Sequence, residues 1–276
     1  MDKKKICKRG VFLTLFLCLC AIWLPGLKAD AASGIKKLKI GKTYSYKLNG
    51  KKENKILCTY TSKDGGAVAL NIYIDGKKQA TLNDWAYSWD VSICRISSNR
   101  NLLYVRDHSD NDWCAGLKLY EYKNGKLKLL KNLANISRND KPLSNWARGD
   151  LIRVKNKRFT VRWMETTKST GMIRVLITYK ISGNKITKIG KSYEVRPISG
   201  KNSWTARQSI ATYKKPGGTR SAFTIYAGDK VKLLRVQVQK NQRYLQVKNA
   251  AGKTGWYREP SYYPMGGWYE EAAFAG

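Results

Sequence analysis

The residues that could carry out catalysis are few in this chain of 276 residues. A single histidine, His108, stands in the polar stretch RDHSDND, and outside the first 31 residues the thiols are Cys58, Cys94 and Cys114. A thiol hydrolase would need one of these cysteines in contact with His108. None of the three has the strand-to-helix setting of such enzymes, so we expect a protein without catalytic activity.

Carboxylates are the remaining candidates for chemistry. Asp107, Asp110, Asp112 or Glu165 could approach one another as an acid–base pair, and this alternative stays open. Asp107, Asp110 and Asp112 could also hold calcium through oxygen ligands. A calcium loop alternates its ligands and then places a glycine, whereas tryptophan and cysteine follow here. We expect a solvated acidic loop, with no metal and no cofactor.

The cysteines indicate neither a disulfide scaffold nor a zinc site. Three of the six lie in the first 31 residues, and the three that remain are an odd number without metal-like spacing. Two alternatives remain: one disulfide bridge from Cys94 to Cys114, or cysteines that are buried as free thiols.

The N-terminus has the layout of a secretory signal peptide. Basic residues from Lys3 to Arg9 precede an apolar run over 11–24, and Ala29-Asp30-Ala31 follows as a small-residue cleavage site. The run is shorter than the ~20 residues needed to span a bilayer. We expect cleavage and a secreted protein, extracellular or associated with the cell wall, without an integral membrane segment. An uncleaved membrane anchor is the alternative.

The charge of the chain points to polyanionic partners. Cleavage after Ala31 would remove six Lys or Arg and two Asp, leaving 47 basic against 17 acidic residues and a net charge of about +30. Such a surface attracts polyanions. For an exported protein of a Gram-positive cell, that partner is a wall polymer such as teichoic acid, and nucleic acid is not expected.

Apolar residues alternate with polar ones along most of the chain, which predicts half-buried antiparallel strands. In GMIRVLITYKI the apolar face is Ile173, Val175, Ile177, Tyr179 and Ile181. The segment RFTVRW places Phe159, Val161 and Trp163 on one face in the same way. The sequence therefore predicts an all-β protein.

Turn residues separate these strands. Asp75-Gly76, Asn124-Gly125 and Ser182-Gly183-Asn184 each stand between two alternating segments. Because these residues tolerate the positive φ angles of tight hairpins, each predicts a β-hairpin.

The segment ICRISSNRNLLYVRDHSDNDWCAGLKLYEYKNGKLKLLKNL orders its parts as strand, polar turn, strand, acidic loop and hairpin. It resembles a blade of the propeller-like β repeats found in secreted proteins of Firmicutes. This resemblance implies a partial propeller or an open, curled antiparallel sheet.

From Trp204 a second resemblance covers about 55 residues. IATYKKPGGTR looks like a first strand with its long loop, TIYAGDKVKLL like a glycine turn with the next strand, and RYLQVKNAAGKTGWY like a final hairpin. The ordered set resembles a bacterial SH3-type (SH3b) domain, which implies a small barrel. Gln208, where the family commonly has an Asn-Val-Arg-like segment, and the long QVQKNQR turn depart from the pattern.

The stretch GKTGW can also be interpreted from its residue types. Gly252 permits the left-handed backbone of a tight turn, and Gly255 permits close approach of a neighbouring strand. Trp256 supplies a large apolar side chain to a small core. It is expected to be mainly a core residue, and lining a ligand groove is the alternative.

The SH3-type resemblance implies a non-catalytic binding module for peptidoglycan peptides or other wall polymers. The candidate binding residues are the aromatic side chains and neighbouring cations of this region: Tyr213, Lys214, Lys215, Arg220, Tyr226, Tyr244, Trp256 and Tyr257. Aromatic rings beside cations suit sugars, peptides and phosphates. Strand alternation is expected to place about half of these tyrosines in the core.

The expected organisation is a signal peptide over 1–31, an antiparallel β domain over 32–198, an SH3-like barrel over 199–260 and an aromatic tail over 261–276 that packs back on the protein. The expected function is non-catalytic binding of peptidoglycan or teichoic acid. A surface adhesion or scaffold protein, whose N-terminal β domain binds another ligand, is the alternative, and a wall hydrolase comes third.

Overall fold

Antiparallel β-strands form almost all regular structure in the computed structural model, which describes residues 34–48, 50, 52–109, 116–138, 148–198 and 202–274. The helices among these residues are a 3₁₀ turn, Asp64–Gly66, and the short helix α1, Leu133–Arg138. The predicted all-β class is confirmed. The predicted signal peptide lies outside the described residues.

The strands of the N-terminal part are β1 (Ile35–Leu38), β2 (Thr43–Tyr46), β3 (Asn54–Ser62), β4 (Val68–Ile74), β5 (Lys77–Leu82), β6 (Ser88–Ser97), β7 (Arg100–His108), β8 (Leu117–Lys123), β9 (Lys126–Asn132), β10 (Arg148–Lys155), β11 (Arg158–Thr167), β12 (Gly171–Ser182), β13 (Lys185–Lys188) and β14 (Ser192–Arg196). The strands of the C-terminal part are β15 (Trp204–Thr205), β16 (Ile210–Tyr213), β17 (Ser221–Ile225), β18 (Lys230–Gln239), β19 (Gln242–Lys248) and β20 (Thr254–Arg258).

Three successive meanders of four antiparallel strands make up the N-terminal part. They are β2–β5, β6–β9 and β10–β13, and β1 adds to the free edge of β6. A meander of four strands is also the unit of a propeller blade, and the blade-like segment recognised in the sequence spans most of the second meander. The resemblance to propeller-like repeats remains a prediction.

The tight turns of these meanders have the backbone that their residues predict. Asp75 and Gly76 join β4 to β5 with φ angles of 52° and 76°, and Asn124 and Gly125 join β8 to β9 with 53° and 73°. Both residues of each pair are left-handed, as a type I′ hairpin requires. Gly183, between β12 and β13, has φ 55°. All three predicted hairpins are confirmed.

The second sheet is buried on both faces. One face, with Val91, Ile93, Leu103 and Val105, packs in a core shared with the first sheet. The other face packs in a core shared with the third sheet, through Cys94, Ile96, Leu102, Tyr104, Leu117 and Leu119. A strand buried on both sides is apolar without alternation, which explains the continuous run LLYV in β7.

The third sheet continues from β10 into the C-terminal strands without a break in hydrogen bonding. Its path is β10-β11-β12-β14-β18-β19-β20-β16-β17, with β13 on β12 and β15 on β18. The connection is β14, which pairs with residues 174–176 of β12 and with residues 235–237 of β18. The domain boundary near residue 199 stays a prediction, but strands on its two sides share one sheet.

The sequence predicts a small barrel over 199–260, but the described strands of this region lie in an open sheet. Among the described strands, none of the three sheets closes on itself. The edge of β18 that does not pair with β19 is occupied by β14 and β15. Strand β17 therefore ends the hydrogen-bonded path, and the C-terminal strands extend an open sheet.

The predicted core positions of β11 and β12 are confirmed. Phe159, Val161 and Trp163 are all 0 % exposed, and the five residues predicted on the apolar face of β12 are exposed by 1 % or less. They form one cluster with apolar residues of the C-terminal strands, such as Leu233 and Leu245.

The C-terminal tail packs back on the fold, as the sequence predicts. Tyr269 is 0 % exposed. The backbone N–H of Trp268 donates to the Ser169 carbonyl over 2.8 Å, and that of Met172 donates to the Ala273 carbonyl over 2.7 Å. The tail therefore covers the turn between β11 and β12.

Arg243 gives this region its charged contacts. Its Nη1 donates to the Thr166 carbonyl over 2.9 Å, and its Nε lies 3.4 Å from a Glu259 carboxylate oxygen. Strand β19 is thus joined to the end of β11 by a hydrogen bond, and to the residue after β20 by a nearly buried ion pair.

Cys58 and Cys94 are buried free thiols, so the bridge from Cys94 to Cys114 is not formed. Cys114 itself lies outside the described residues. None of the described helices combines the length and the apolar character needed to cross a membrane.

Candidate ligand-binding face

Strand β20 divides the predicted binding residues into two groups, because neighbouring side chains of a strand point to opposite faces. Tyr257 points into the core and is 1 % exposed. Its hydroxyl lies 3.0 Å from the Ser169 hydroxyl, and its ring centre lies 5.6 Å from that of Trp268. Burial raises the pKa of Tyr257 well above its usual range. Tyr257 is thus a packing residue, and a ligand cannot reach it in this structure.

Trp256 shares the opposite face with two of the predicted tyrosines. Its cross-strand partner in β16 is Tyr213, and its partner in β19 is Gln246. Tyr244 stands two residues before Gln246, so its side chain is on the same face. We call Tyr213, Tyr244 and Trp256 the aromatic face. Trp256 is 9 % exposed, and the two tyrosines are partly exposed.

The loop between β16 and β17 carries the predicted cations beside this face. Lys214, Lys215 and Arg220 are exposed, and the Lys214 N–H donates to the Arg220 carbonyl over 3.0 Å. Gly217, at φ 68°, approaches so closely that an added Cβ would lie 3.2 Å from the Tyr244 hydroxyl. The structure therefore brings the cationic loop and the aromatic face together.

The electrostatics of this part of the chain are one-sided. Residues 210–258 contain 11 Lys or Arg and one acidic residue, Asp229. The Asp229 carboxylate accepts a hydrogen bond from the Tyr226 backbone N–H over 2.8 Å. An anionic ligand approaching the aromatic face would meet almost no repulsion, and its attraction would weaken with salt.

Tyr226 stands apart from the aromatic face. It lies in the turn between β17 and β18 and is 63 % exposed. Neither the register of the sheet nor a ring contact joins it to Tyr213 or Tyr244 in the described part of the chain. It therefore serves as a comparison residue, with the same side chain in a different setting.

The glycines of GKTGW take the roles that the sequence predicts. Gly252, at φ 80°, donates to the Asn249 carbonyl over 3.0 Å and closes the turn between β19 and β20. A Cβ on Gly255 would lie 2.7 Å from the Thr212 Cβ. Only glycine permits this approach of β16 and β20, which aligns Tyr213 with Trp256.

The acidic loop is only partly described. Asp107 is fully buried, and its Oδ1 accepts a hydrogen bond from the Gly116 N–H over 2.8 Å. Asp110 and Asp112 lie outside the described residues. Within the ranges that the structure covers, no three His, Cys, Asp or Glu side chains are grouped as metal ligands.

The other candidates for chemistry are engaged in pairs. His108 Nε2 lies 2.9 Å from Asp90 Oδ2. The register places Ser88 opposite His108, but the described residues show no hydrogen bond between these two side chains, as a serine nucleophile would require. Glu165 is 2 % exposed and lies 4.0 Å from Arg243. The expectation of a non-catalytic protein stays a prediction.

Sequence reasoning did not single out four arginines that line one cavity: Arg106, Arg148, Arg162 and Arg174. Their signal is present in the alternation, since three of them occupy polar positions of β10, β11 and β12. However, the sequence does not show that these side chains are close together, because their proximity depends on the registers of the hairpins. Comparison with protein-family models, with curated proteins and with solved structures finds no match for this chain.

Proposed function

We propose that this protein binds a cell-wall polymer without catalysis, and that the aromatic face with its cationic loop is the binding surface. The single observation that carries the proposal is the alignment of Tyr213, Trp256 and Tyr244 on one face, with Lys214 and Lys215 in the loop beside it. The signal-like N-terminus and the resemblance to SH3-type wall-binding modules supply the location and the ligand class.

The side chains of the aromatic face suit a polymer of sugars, peptides or phosphates. Tyrosine and tryptophan offer large contact areas with few rotatable bonds, so that little conformational entropy is lost on binding. Partial burial already restricts the rings of Tyr213 and Tyr244. The loop cations add attraction for anionic groups, which is long-range at low salt and short-range at physiological salt.

Peptidoglycan and teichoic acid would use these features differently. Peptidoglycan binding would depend mainly on ring contacts and would persist at high salt. Teichoic acid binding would depend mainly on the cations and would fall steeply above about 0.3 M salt, where the Debye length is only several ångströms.

A second candidate function, adhesion through the N-terminal part, is favoured by another observation. Trp85 and Tyr87, between β5 and β6, are 54 % and 45 % exposed, and Tyr60 of β3 is 37 % exposed. Exposed aromatic residues of this kind are typical of interaction surfaces.

The test is co-sedimentation of the secreted form of the protein with purified cell walls, with and without teichoic acid, over a salt series. Tyr213→Ala and Tyr244→Ala should each weaken wall binding about tenfold, the loss expected for truncating an anchoring aromatic residue. Tyr226→Ala is the matched control and should bind as the unchanged protein does. Circular dichroism checks that each variant is folded.

Loss of binding in Tyr226→Ala to the same extent, or full binding in both aromatic-face variants, would contradict the proposal. Loss of binding in Trp85→Ala, with the aromatic-face variants unaffected, would instead favour adhesion through the N-terminal part.

A further inference from the structure

A cavity of about 170 Å³ opens where the second sheet meets the outer surface of the third, and arginines dominate its lining. Arg106 comes from β7, Arg148 from β10, Arg162 from β11 and Arg174 from β12. We call it the arginine cavity. Like charges repel, so four guanidinium groups in one small space require an explanation.

The register of the third sheet explains how three of the arginines converge. Arg148 and Arg174 are the two cross-strand partners of Met164, so these side chains form one row on the same face. Arg162 stands two residues before Met164 on that face. Its partner in β10 is Asp150, which is the one carboxylate among the described residues that line the cavity.

Carboxylates compensate only part of this positive charge. Asp150 uses one oxygen for Arg162, at 3.0 Å, and its other oxygen lies 3.8 Å from Arg106. Asp90 stands opposite Arg106 in the register of β6 and β7, but its carboxylate is hydrogen-bonded to His108. Among the described residues, Arg106 and Arg162 thus share the Asp150 carboxylate, and the Asp90 carboxylate beside Arg106 is already bonded to His108.

Arg106 is the most buried of the four arginines, at 7 % exposed. Although its Nη1 lies 3.8 Å from Asp150, its buried Nε has no hydrogen-bond acceptor in the described part of the chain. A buried donor of a charged group that makes no hydrogen bond lowers stability by the desolvation of that donor. Such groups are rare in native proteins, and a bound ion is one of the explanations for them.

We propose that the arginine cavity binds a phosphate group. Guanidinium groups present planar pairs of N–H donors, and groups on several strands can bind different oxygens of one tetrahedral anion. An oxygen at the Arg106 Nε would complete its hydrogen bonding. The volume corresponds to roughly six water molecules of ~30 Å³ each, which is enough room for one phosphate group. This inference does not rest on the aromatic face.

The phosphate could be a free phosphomonoester or one unit of a phosphodiester polymer. Glycerol 1-phosphate and poly(glycerol phosphate) are the two probes that distinguish these sources, with inorganic phosphate as the smallest probe. Binding is measured by isothermal titration calorimetry on the secreted form of the protein, at an ionic strength held constant with NaCl. Thermal unfolding at the same ionic strength gives a second readout.

The test variant is Arg174→Gln, and the control is Arg196→Gln. Arg196 is the cross-strand neighbour of Arg174 in β14, pairs with Glu194 over 2.6 Å and does not line the cavity. Both variants lose one positive charge, but only Arg174→Gln removes a guanidinium group from the cavity lining. We expect phosphate to bind the unchanged protein and the control, and to bind Arg174→Gln at least about tenfold more weakly.

Thermal unfolding adds a second prediction. Without phosphate, Arg174→Gln should change the unfolding temperature little, because the relief of repulsion in the cavity is offset by loss of the 3.4 Å hydrogen bond from Arg174 Nη1 to the Pro197 carbonyl. With phosphate, the unchanged protein should gain in unfolding temperature and the variant should not. Arg148→Gln repeats the test if Arg174→Gln does not fold.

Three results would overturn the proposal. They are no heat of binding with any of the three probes, equal stabilisation by phosphate and by NaCl at matched ionic strength, and equal loss of binding in the Arg196→Gln control. Binding of the monoester and binding of the polymer both support the site, and their ratio identifies the source of the phosphate.

Discussion

The tail should depend on the absence of a side chain at Gly171, and alanine there tests this dependence. Gly171 has φ 68°, and an added Cβ would overlap the Ala273 carbonyl oxygen and lie 2.6 Å from the Ala273 backbone carbon and nitrogen. Gly183 is the matched control, because it has φ 55° in the turn after the same strand and open space around it.

Two contributions lower the free energy of unfolding of Gly171→Ala: strain in the left-handed backbone and displacement of the tail. Alanine in a left-handed backbone costs about 1–2 kcal/mol, and Gly183→Ala should show this cost alone. Gly171→Ala must also displace the tail by about 1 Å, because ordinary contact begins near 3.4 Å. That displacement disrupts the bonds of Met172 and Trp268, about 1 kcal/mol each, and loosens buried Tyr269. We expect a total of about 3–5 kcal/mol.

Urea unfolding of both variants measures the difference, and chymotrypsin digestion reports on the tail. Tyr262 and Tyr263 are 65 % and 62 % exposed, and cleavage there should accelerate in Gly171→Ala alone. Equal destabilisation of the two variants, with equal cleavage rates, would show that the close approach of the tail to β12 does not stabilise the fold.

Three further predictions concern buried or paired groups. Hydrogen bonding from His108 holds the pKa of Asp90 below its ordinary value of 3.8, so its stabilisation is present above that pH and is lost as the pH falls through the lowered pKa. Urea unfolding from pH 6 to 2.5 should show this loss, and Asp90→Asn should not. Tyr179→Phe removes the acceptor of the Trp163 indole N–H, 3.1 Å away, and should lower the free energy of unfolding by about 1–3 kcal/mol. Burial raises the pKa of Cys58 to about 12, so iodoacetamide should modify it at pH 8 only after unfolding, as mass spectrometry can detect.

Each of these predictions has a contrary result. An unchanged pH profile in Asp90→Asn would mean that the hydrogen bond to His108 contributes no pH-dependent stability. Tyr226→Phe, at an exposed site, controls for the loss of a hydroxyl, and an equal effect there would contradict the role of the indole bond. Rapid labelling of native Cys58 would show that the core between the first two sheets opens readily.

The hairpins and the core face of the third sheet could be predicted because their causes are local. Asp75-Gly76 and Asn124-Gly125 favour left-handed backbone wherever they stand, and the period of two in β12 reports burial on one side directly. The glycines of GKTGW were predictable for the same reason, since a turn and a close approach are properties of a few neighbouring residues.

Two other turns of the same type lack an Asn-Gly or Asp-Gly pair. Asn156 and Lys157 join β10 to β11 at φ 50° and 58°, within the alternating segment LIRVKNKRFTVRW. The long turn predicted over QVQKNQR is wrong, because only Lys240 and Asn241, at φ 49° and 58°, lie between β18 and β19 and the other residues pair in the two strands. Lysine has no intrinsic preference for this conformation, so the tertiary pairing of the strands imposes it. Local sequence cannot reveal a conformation that distant contacts determine.

The binding face was only partly predictable. All eight candidate residues came from composition and family order, but the register decides which of them share a face. A shift of one residue in β20 would exchange Trp256 and Tyr257. The arginine cavity was missed for the related reason that its four side chains come from β7, β10, β11 and β12.

The continuity of the third sheet through β14 bears on modularity. A module joined by a linker can be cut out, exchanged or duplicated with its fold intact. Cutting this chain near residue 199 would instead expose the edge of β14 on one piece and that of β18 on the other, and unpaired edges promote aggregation. The C-terminal strands therefore cannot be shuffled as a free-standing unit without a replacement for β14, and recombination that kept the fold would have to exchange residues 148–274 together.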